Sequence, residues 1–455
     1  MKNIILWAIP VIALLNSCGV YTKYIPVDEV SENLYGDTNL LSDSIDNIAL
    51  KSWRDIFQDP YLQKLIEKGL ADNIDLQTAS LRVEEAQASL MSAKLAFLPS
   101  FALAPQGLTG SFDWAKATQT YSLPVNASWE IDLFGRLRNA KNQNKALLEQ
   151  TKDYHQAIKT QVVSAIANAY FTLVMLDTQL AISLDSENTW KQIVSTSESL
   201  MDAGMSNQAA VSQMKATYFS IASSIMDLKE QINIVENSLS VLIGNTPSDI
   251  ERNDAYFNNF SEPISIGIPL QLLSNRPDVR MAQRSMEAAF YVTNQAKSAF
   301  YPSVVLSGSA GWTNSVGSMI VNPGKFLASA VASLTQPLFN NGTNIARLKI
   351  SKAQQQETVL NFKQTLLLAG GEVNDALFKY QTASEKAEYC NLQVESLEKA
   401  FESTSLLMKH GNTTYLEVLT AQQTLLNARL NKTANDFNKI QGVINLYHAL
   451  GGGEL

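Results

Sequence analysis

Hydrophobic positions repeat along this chain with two different periods, and each period keeps to its own stretches. In Ser303–Thr313, Val304, Leu306, Gly308, Ala310 and Trp312 alternate with Ser303, Val305, Ser307, Ser309, Gly311 and Thr313. In Thr120–Ile131, Tyr121, Leu123, Val125, Ala127, Trp129 and Ile131 alternate with Thr120, Ser122, Pro124, Asn126, Ser128 and Glu130. Phe326–Leu334 alternates in the same way, and Phe101–Phe112 does so less clearly. A period of two predicts strands with one apolar face. Elsewhere the period is helical. Pro60–Ala96 carries Leu62, Leu65, Ile66, Leu70, Leu76, Ala79, Leu81, Val83, Ala86 and Leu90, and Pro99 ends it. From about Leu137 to Met201 there is neither proline nor glycine, which predicts a helix of roughly 100 Å at ~1.5 Å per residue. A second helix is expected from about Asn207 to Ile243. Another begins near Asn275-Arg276-Pro277-Asp278 and ends at Phe300. A second long helix is expected from about Asn344 to Met408, with Gly370-Gly371 as a weak point, and a last one ends near Leu450. Globular helices average about 12 residues, so these lengths call for a special architecture.

The chain is also similar to itself. Ala93-Lys94-Leu95-Ala96-Phe97-Leu98-Pro99-Ser100 recurs as Ala296-Lys297-Ser298-Ala299-Phe300-Tyr301-Pro302-Ser303, an offset of 203 (297 − 94). Leu133-Phe134-Gly135 meets Leu338-Phe339-Asn340 at 205 (338 − 133), and Gly204 meets Gly411 at 207 (411 − 204). Leu242-Ile243-Gly244 meets Ala449-Leu450-Gly451, again at 207 (449 − 242). Ordered matches with so little drift mark a duplicated unit, not a solenoid, whose periods run about 20–50 residues. Each copy reads helix, strand, strand, long helix, helix. The expected division is 1–17 signal peptide, 18–52 extended tether, 53–250 first repeat, 251–268 linker, 269–450 second repeat and 451–455 tail.

The N-terminus bears on location. Lys2 precedes an apolar run from Ile4 to Leu15, broken only by Pro10, and then comes Leu15-Asn16-Ser17-Cys18. This is the pattern of a secretory signal. It is shorter than the ~20 apolar residues that a spanning helix needs. The Leu-x-Ser-Cys ending resembles the lipobox of bacterial lipoproteins, which implies that Cys18 is the acylated first residue of the mature chain. The alternative is an ordinary signal peptide with a chance cysteine. Two or more acyl chains would make a stable anchor. Cys390 is then left without a disulfide partner.

With the membrane in view, ten-residue segments of alternating polarity read as transmembrane barrel strands. Trp129 and Trp312, near strand ends, suit the interfacial aromatic girdle. A soluble two-faced sheet would alternate identically, so the weight rests on the strands, the anchor and the long helices together. Four strands cannot close a barrel, which begins at about eight, and open edges cannot face lipid. The chain must therefore oligomerise, and three copies would supply twelve strands. The net charge of −8 argues against a nucleic-acid partner. His155, His410 and His448 stand far apart, and neither a metal-ligand spacing nor a glycine-rich phosphate loop is present, so no enzyme is expected.

From about Trp53 to Leu450 the chain resembles the TolC-type outer-membrane efflux ducts, and within them the lipid-anchored OprM-like branch. The resemblance is carried by Leu273-Ser274-Asn275-Arg276-Pro277-Asp278-Val279-Arg280, by the paired Ala-x-x-Ala-Phe-x-Pro-Ser segments and by Trp129-Glu130-Ile131-Asp132-Leu133-Phe134-Gly135. It implies an α+β membrane protein of a Gram-negative outer membrane, a homotrimer with a 12-stranded barrel on a 12-helix periplasmic tunnel. Its partners would be a periplasmic adaptor and an inner-membrane pump of RND type, its cargo drugs or other small molecules, and its only attached group the lipid on Cys18. The resemblance puts adaptor contacts at the two helix–helix turns, at Gly204 and Met205 and at Gly411 and Asn412. Each glycine could equally serve only its turn. It puts a closed gate at Leu416, Glu417 and Thr420, where Thr420 replaces an acid common in the family and supplies no second acidic ring. Three Glu417 carboxylates about 8 Å apart would repel by about 2 kcal/mol per pair at an effective dielectric of ~20. Glu417 on a solvated helix face is the alternative. Two other readings of the whole chain stand beside this one: a lipid-anchored coiled-coil scaffold, and the duct of an exporter of proteins or metal cations.

Overall fold

A computed structural model of the chain describes residues 23–25, 51–111, 113–114, 116–253, 275–316, 319–410 and 413–452. The first repeat holds α1 (Trp53–Ile56), α2 (Pro60–Asp72), α3 (Ile74–Leu95), β1 (Ser100–Leu103), β2 (Gln106–Gly110), β3 (Thr118–Ile131), α4 (Arg136–Asp202) and α5 (Gln208–Leu242). The second holds α6 (Pro277–Ser298), β4 (Ser303–Val316), β5 (Met319–Thr335), α7 (Thr343–Lys409) and α8 (Tyr415–Ala449). The copies match in length: 22 residues in α3 and α6, 67 in α4 and α7, 35 in α5 and α8. Their starts are offset by 203 (277 − 74) and then by 207 (343 − 136 and 415 − 208), the same offsets that the sequence repeat carries.

Three elements differ from the pattern-based expectation. Pro60–Ala96 is two helices, because Asn73 leaves the helical conformation at φ −63°, ψ 126°. Its side chain accepts from Leu76 N at 2.9 Å and donates to Leu242 O at 2.8 Å, so one polar residue starts α3 and ties it to the end of α5. Gly244 makes that approach possible: at φ +73° a Cβ would stand 2.6 Å from Asp72 O. Hydrophobic period carries no signal for a one-residue interruption of this kind. The helix α7 runs unbroken through Gly370-Gly371. A mid-helix glycine costs about 1 kcal/mol against alanine, and buried Leu366, Ala369, Val373 and Leu377 hold the helix there. Finally, α1 was not legible; Ser52 and Asp55 close a capping box around it.

In space the chain divides across the repeats. Among the described residues, one compact unit comprises those within 23–25, Leu81–Asp153 and Arg280–Thr365; the other comprises those within 51–80, 154–279 and 366–452. The first unit carries the sheet, in the order β1-β3-β4-β5, with β2 also on β3. Paired positions of β1 with β3 and of β2 with β3 add to the same total of 228 (100 + 128, 106 + 122), so the two form one strand in one register. Ala104 N still reaches Pro124 O at 3.1 Å, but Pro105 has no N–H to give. Leu108 then lies opposite Thr120, on the polar side, which blurs the alternation of Phe101–Phe112. The β3–β4 ladder, from Ser122↔Thr313 to Ile131↔Val304, joins the two repeats. Phe101, Leu103, Leu123, Val125, Trp129, Trp312, Phe326 and Leu334 are 40–70% exposed.

Two of the segments that carry the family resemblance are joints. In the first unit, Trp129 Nε1 donates to Phe97 O at 2.8 Å, at the end of the α3 segment. Glu130 accepts from Arg136 Nε at 2.7 Å, and Asp132 accepts from Leu137 N at 3.1 Å and Arg138 N at 2.8 Å, capping α4. In the second unit, Arg276 is buried. It donates to Asp278 through Nε (3.0 Å) and Nη2 (2.7 Å), to Glu372 through Nη2 (2.6 Å) and to Ala449 O through Nη1 (2.6 Å). The Asn-Arg-Pro-Asp segment thus staples the start of α6 to the last carbonyl of α8 and to Glu372 of α7. Arg276→Ala is expected to remove about 2 kcal/mol of stability, read as a lower thermal midpoint. Arg276→Lys should restore little, because an ammonium cannot reproduce the planar fork.

Candidate functional site

The first turns of α8 carry the three residues expected at a constriction. Val418, Leu419, Gln422 and Leu425 are buried. Leu416, Glu417 and Thr420 fall on the opposite, exposed stripe, with Leu416 50% exposed. The structure therefore brings all three together. Thr420 Oγ1 donates to Leu416 O at 2.8 Å and Thr424 Oγ1 to Thr420 O at 2.7 Å, so both hydroxyls are taken up by the helix. Thr413 Oγ1 donates to the Glu417 carboxylate in place of a side-chain cap, since Thr414 caps α8 without one. An acid in the first turn is also favoured by the helix dipole. The arrangement offers an exposed apolar side chain and an exposed carboxylate side by side.

Leu419 sets the position of that stripe. It packs with Trp190 of α4 and with Met214, Ile221 and Ile225 of α5, flanked by half-buried Tyr415 and Leu426. Ion pairs brace the same helices. Lys215 meets Glu198 at 2.6 Å, and Arg429 meets Glu398 of α7 at 2.6 Å and Asp185 of α4 at 3.6 Å. Neither Leu419 nor Arg429 was singled out from the sequence. A buried leucine looks like any other in a helical pattern, and the pairs of Arg429 span too many positions to leave a local signal.

At the first helix–helix turn, Gly204 takes φ +74°. Gly204 N donates to Met201 O at 2.9 Å and Met205 N to Leu200 O at 2.8 Å, the hydrogen bonds of a left-handed helix stop. A Cβ on Gly204 would meet nothing within 4 Å, so φ alone demands glycine there. Met205 is 76% exposed, and Asn207 caps α5 by accepting from Ala210 N at 2.9 Å. Gly411 and Asn412 of the second turn lie outside the described residues, as do Cys18, the signal segment 1–17 and linker residues 254–268. Of the tether, Tyr24 packs edge-on against Phe290 of α6, with ring centroids 5.6 Å apart. No cluster of metal-ligating His, Cys, Asp or Glu occurs among the described residues.

The sheet fixes the spacing of the two tryptophans. Trp129 stands opposite Leu306. Trp312 lies six positions further along β4, about 20 Å at ~3.4 Å per residue, and its ring packs edge-on to Phe326 at 5.4 Å. On strands tilted by ~40° that separation is about 15 Å along the membrane normal, within the ~25 Å apolar band of a membrane barrel.

Comparison with known proteins agrees with this geometry. The model of a family described as outer membrane efflux protein matches residues 65–245 and 268–452. The chain is 29% identical over 450 residues to the cation efflux system protein CusC of Escherichia coli O6:H1, covering 96% of each. It is 25% identical over 417 residues to the probable efflux pump outer membrane protein TtgC of Pseudomonas putida, covering 89% of this chain and 86% of that one. A crystal structure of CusC superposes with a TM-score of 0.84 at 27% identity, over 96% of this chain and all of that one.

Leu419→Ala is expected to cost about 2–4 kcal/mol, from lost burial and a residual cavity. Because Leu419 locates the start of α8, amide exchange should quicken first at residues 415–422. Uniform slow exchange there would mean that the stripe is held by something else.

Proposed function

We propose, for a chain that belongs to the outer membrane efflux protein family, that it is the lipid-anchored exit duct of a tripartite efflux system and passes small solutes outward without chemistry of its own. It works in the outer membrane of a Gram-negative cell. The observation that carries the reading is the sheet: four strand positions with two unpaired edges and an exposed apolar face. Such a sheet suits lipid only after its edges are closed. Closure by a homotrimer gives twelve strands. On this reading Trp129 and Trp312 sit at the two membrane interfaces, and acylated Cys18 holds the N-terminus to the inner leaflet. A periplasmic adaptor engages the turns at Gly204–Met205 and Gly411–Asn412, and an RND-type pump loads the duct.

The duplication supplies the register of closure. Within one chain β3 of the first copy pairs with β4 of the second, Trp129 against Leu306. By the repeat, β5 takes the part of β3 and β1 that of β4, at the offsets of 205 and 203 read from the sequence. Leu334 of one protomer is then opposite Leu103 of the next; both are more than 60% exposed in the single chain. In a Cys390→Ser background, the Leu103→Cys, Leu334→Cys pair should cross-link protomers into dimers and trimers. Each single variant should not. Monomers only, from protein shown to be trimeric, would reject this register.

Leu416 and Glu417, brought near the axis by three copies, form an apolar plug over an acidic ring, while Thr420 adds no charge. Planar-bilayer conductance tests the duct and its gate together. Discrete cation-favouring openings should appear for the wild type. They should be larger and less selective in the Leu416→Ala, Glu417→Ala double variant. Silence from both folded trimers would favour the anchored scaffold. Cargo is left to the pump. The resemblance to a cation efflux protein favours metal cations as one class, and the exposed carboxylates of Glu417 would not hinder them.

A further inference from the structure

Away from the turns and the sheet, the second unit contains a cavity of about 440 Å³ lined by α1, the end of α2, the start of α3 and α4. Its lining includes Arg54, His155 and Lys159, and none of its lining residues is acidic. His155 and Lys159 are one helical turn apart on α4, so they share a face. The Arg54 guanidinium lies 4.2 Å from the centroid of the Trp53 ring, which is buried, and its Nη2 meets Glu67 at 3.0 Å. That contact fixes the arginine beside the other two cations of the lining. No carboxylate among the described residues pairs with Lys159. Burial and the nearby Arg54 hold Lys159 below the usual ammonium range. Burial and Lys159 hold His155 below the usual imidazole value. Burial is the larger cause of each shift, and the neighbouring positive charge adds to it. Leu70 and Leu76 add an apolar wall.

We propose that this cavity is a binding site for a small organic anion, with a phosphate or carboxylate held by Arg54, Lys159 and His155 and an apolar body seated on Leu70 and Leu76. The donors suit such an anion: a guanidinium, an ammonium and an imidazole N–H converge where a charge-assisted hydrogen bond is strong. The site is independent of the duct, being lined neither by the α8 stripe nor by the sheet.

Isothermal titration of the full-length protein in detergent, at low salt, with phenyl phosphate and with inorganic phosphate tests it. Phenyl phosphate should bind one per chain and more tightly than inorganic phosphate. Lys159→Gln and Arg54→Gln should each weaken it about tenfold or more. Lys159→Arg should keep it, which separates lost charge from lost fold, and Lys145→Gln, elsewhere on α4, should leave it unchanged. Equal binding by wild type and Lys159→Gln, or no saturable heat from the wild type, would overturn the site. Equal affinity for the two phosphates would overturn the part given to Leu70 and Leu76.

Discussion

A sheet edge cannot end in lipid. Each unpaired N–H and C=O there lacks water to bind, at several kcal/mol apiece. The rest of this protein follows from that constraint. The chain carries four strand positions and therefore two edges, β1 with β2 on one side and β5 on the other. Duplication brings the central pair together within one chain, since β3 and β4 come from different copies. It leaves the same kind of pairing to be completed by the next chain. Oligomerisation here is a condition of placing the sheet in a membrane at all, not an addition to a finished fold.

The helices extend the same dependence. Phe219, Met226, Ile234 and Val241 lie along α5 at steps of seven and eight residues, and each is more than half exposed. Spacing of that kind makes a straight seam on a helix, as in coiled coils. Among the described residues of the single chain this seam stays exposed. Long helices with apolar side chains on several sides are marginal by themselves and become stable as neighbours in a ring. The ion pairs of Arg429 and Lys215 work on a smaller scale, fixing which helix faces which near the α8 stripe.

Much of this was legible in the sequence, for reasons that can be named. The 67-residue helices showed because proline is absent from both and glycine from one of them. The strands showed because one face is apolar throughout, and showed less clearly at Phe101–Phe112 because Leu108 lies on the polar side, opposite Thr120. Asn73 was missed because a single side chain can break a helix without disturbing its hydrophobic period. Among candidate site residues, the common face of Leu416, Glu417 and Thr420 followed from helical spacing, but their choice came from family resemblance. Leu419 and Arg429 act through partners distant in sequence, which no local pattern records. The same holds for the convergence of Arg54 with His155 and Lys159.

The matched lengths of the two copies, 67 with 67 and 35 with 35, have a consequence for how such a chain can change over time. An insertion in α4 alone would carry one turn past the other and shift every side-chain row below it by a fraction of a turn. To remain a uniform wall, the chain must gain or lose residues in both copies together, and on both the outgoing and the returning helix of each. Four simultaneous events of equal size are rare. The length of the wall is therefore nearly frozen in inheritance, and variation is free to accumulate in the segments outside it.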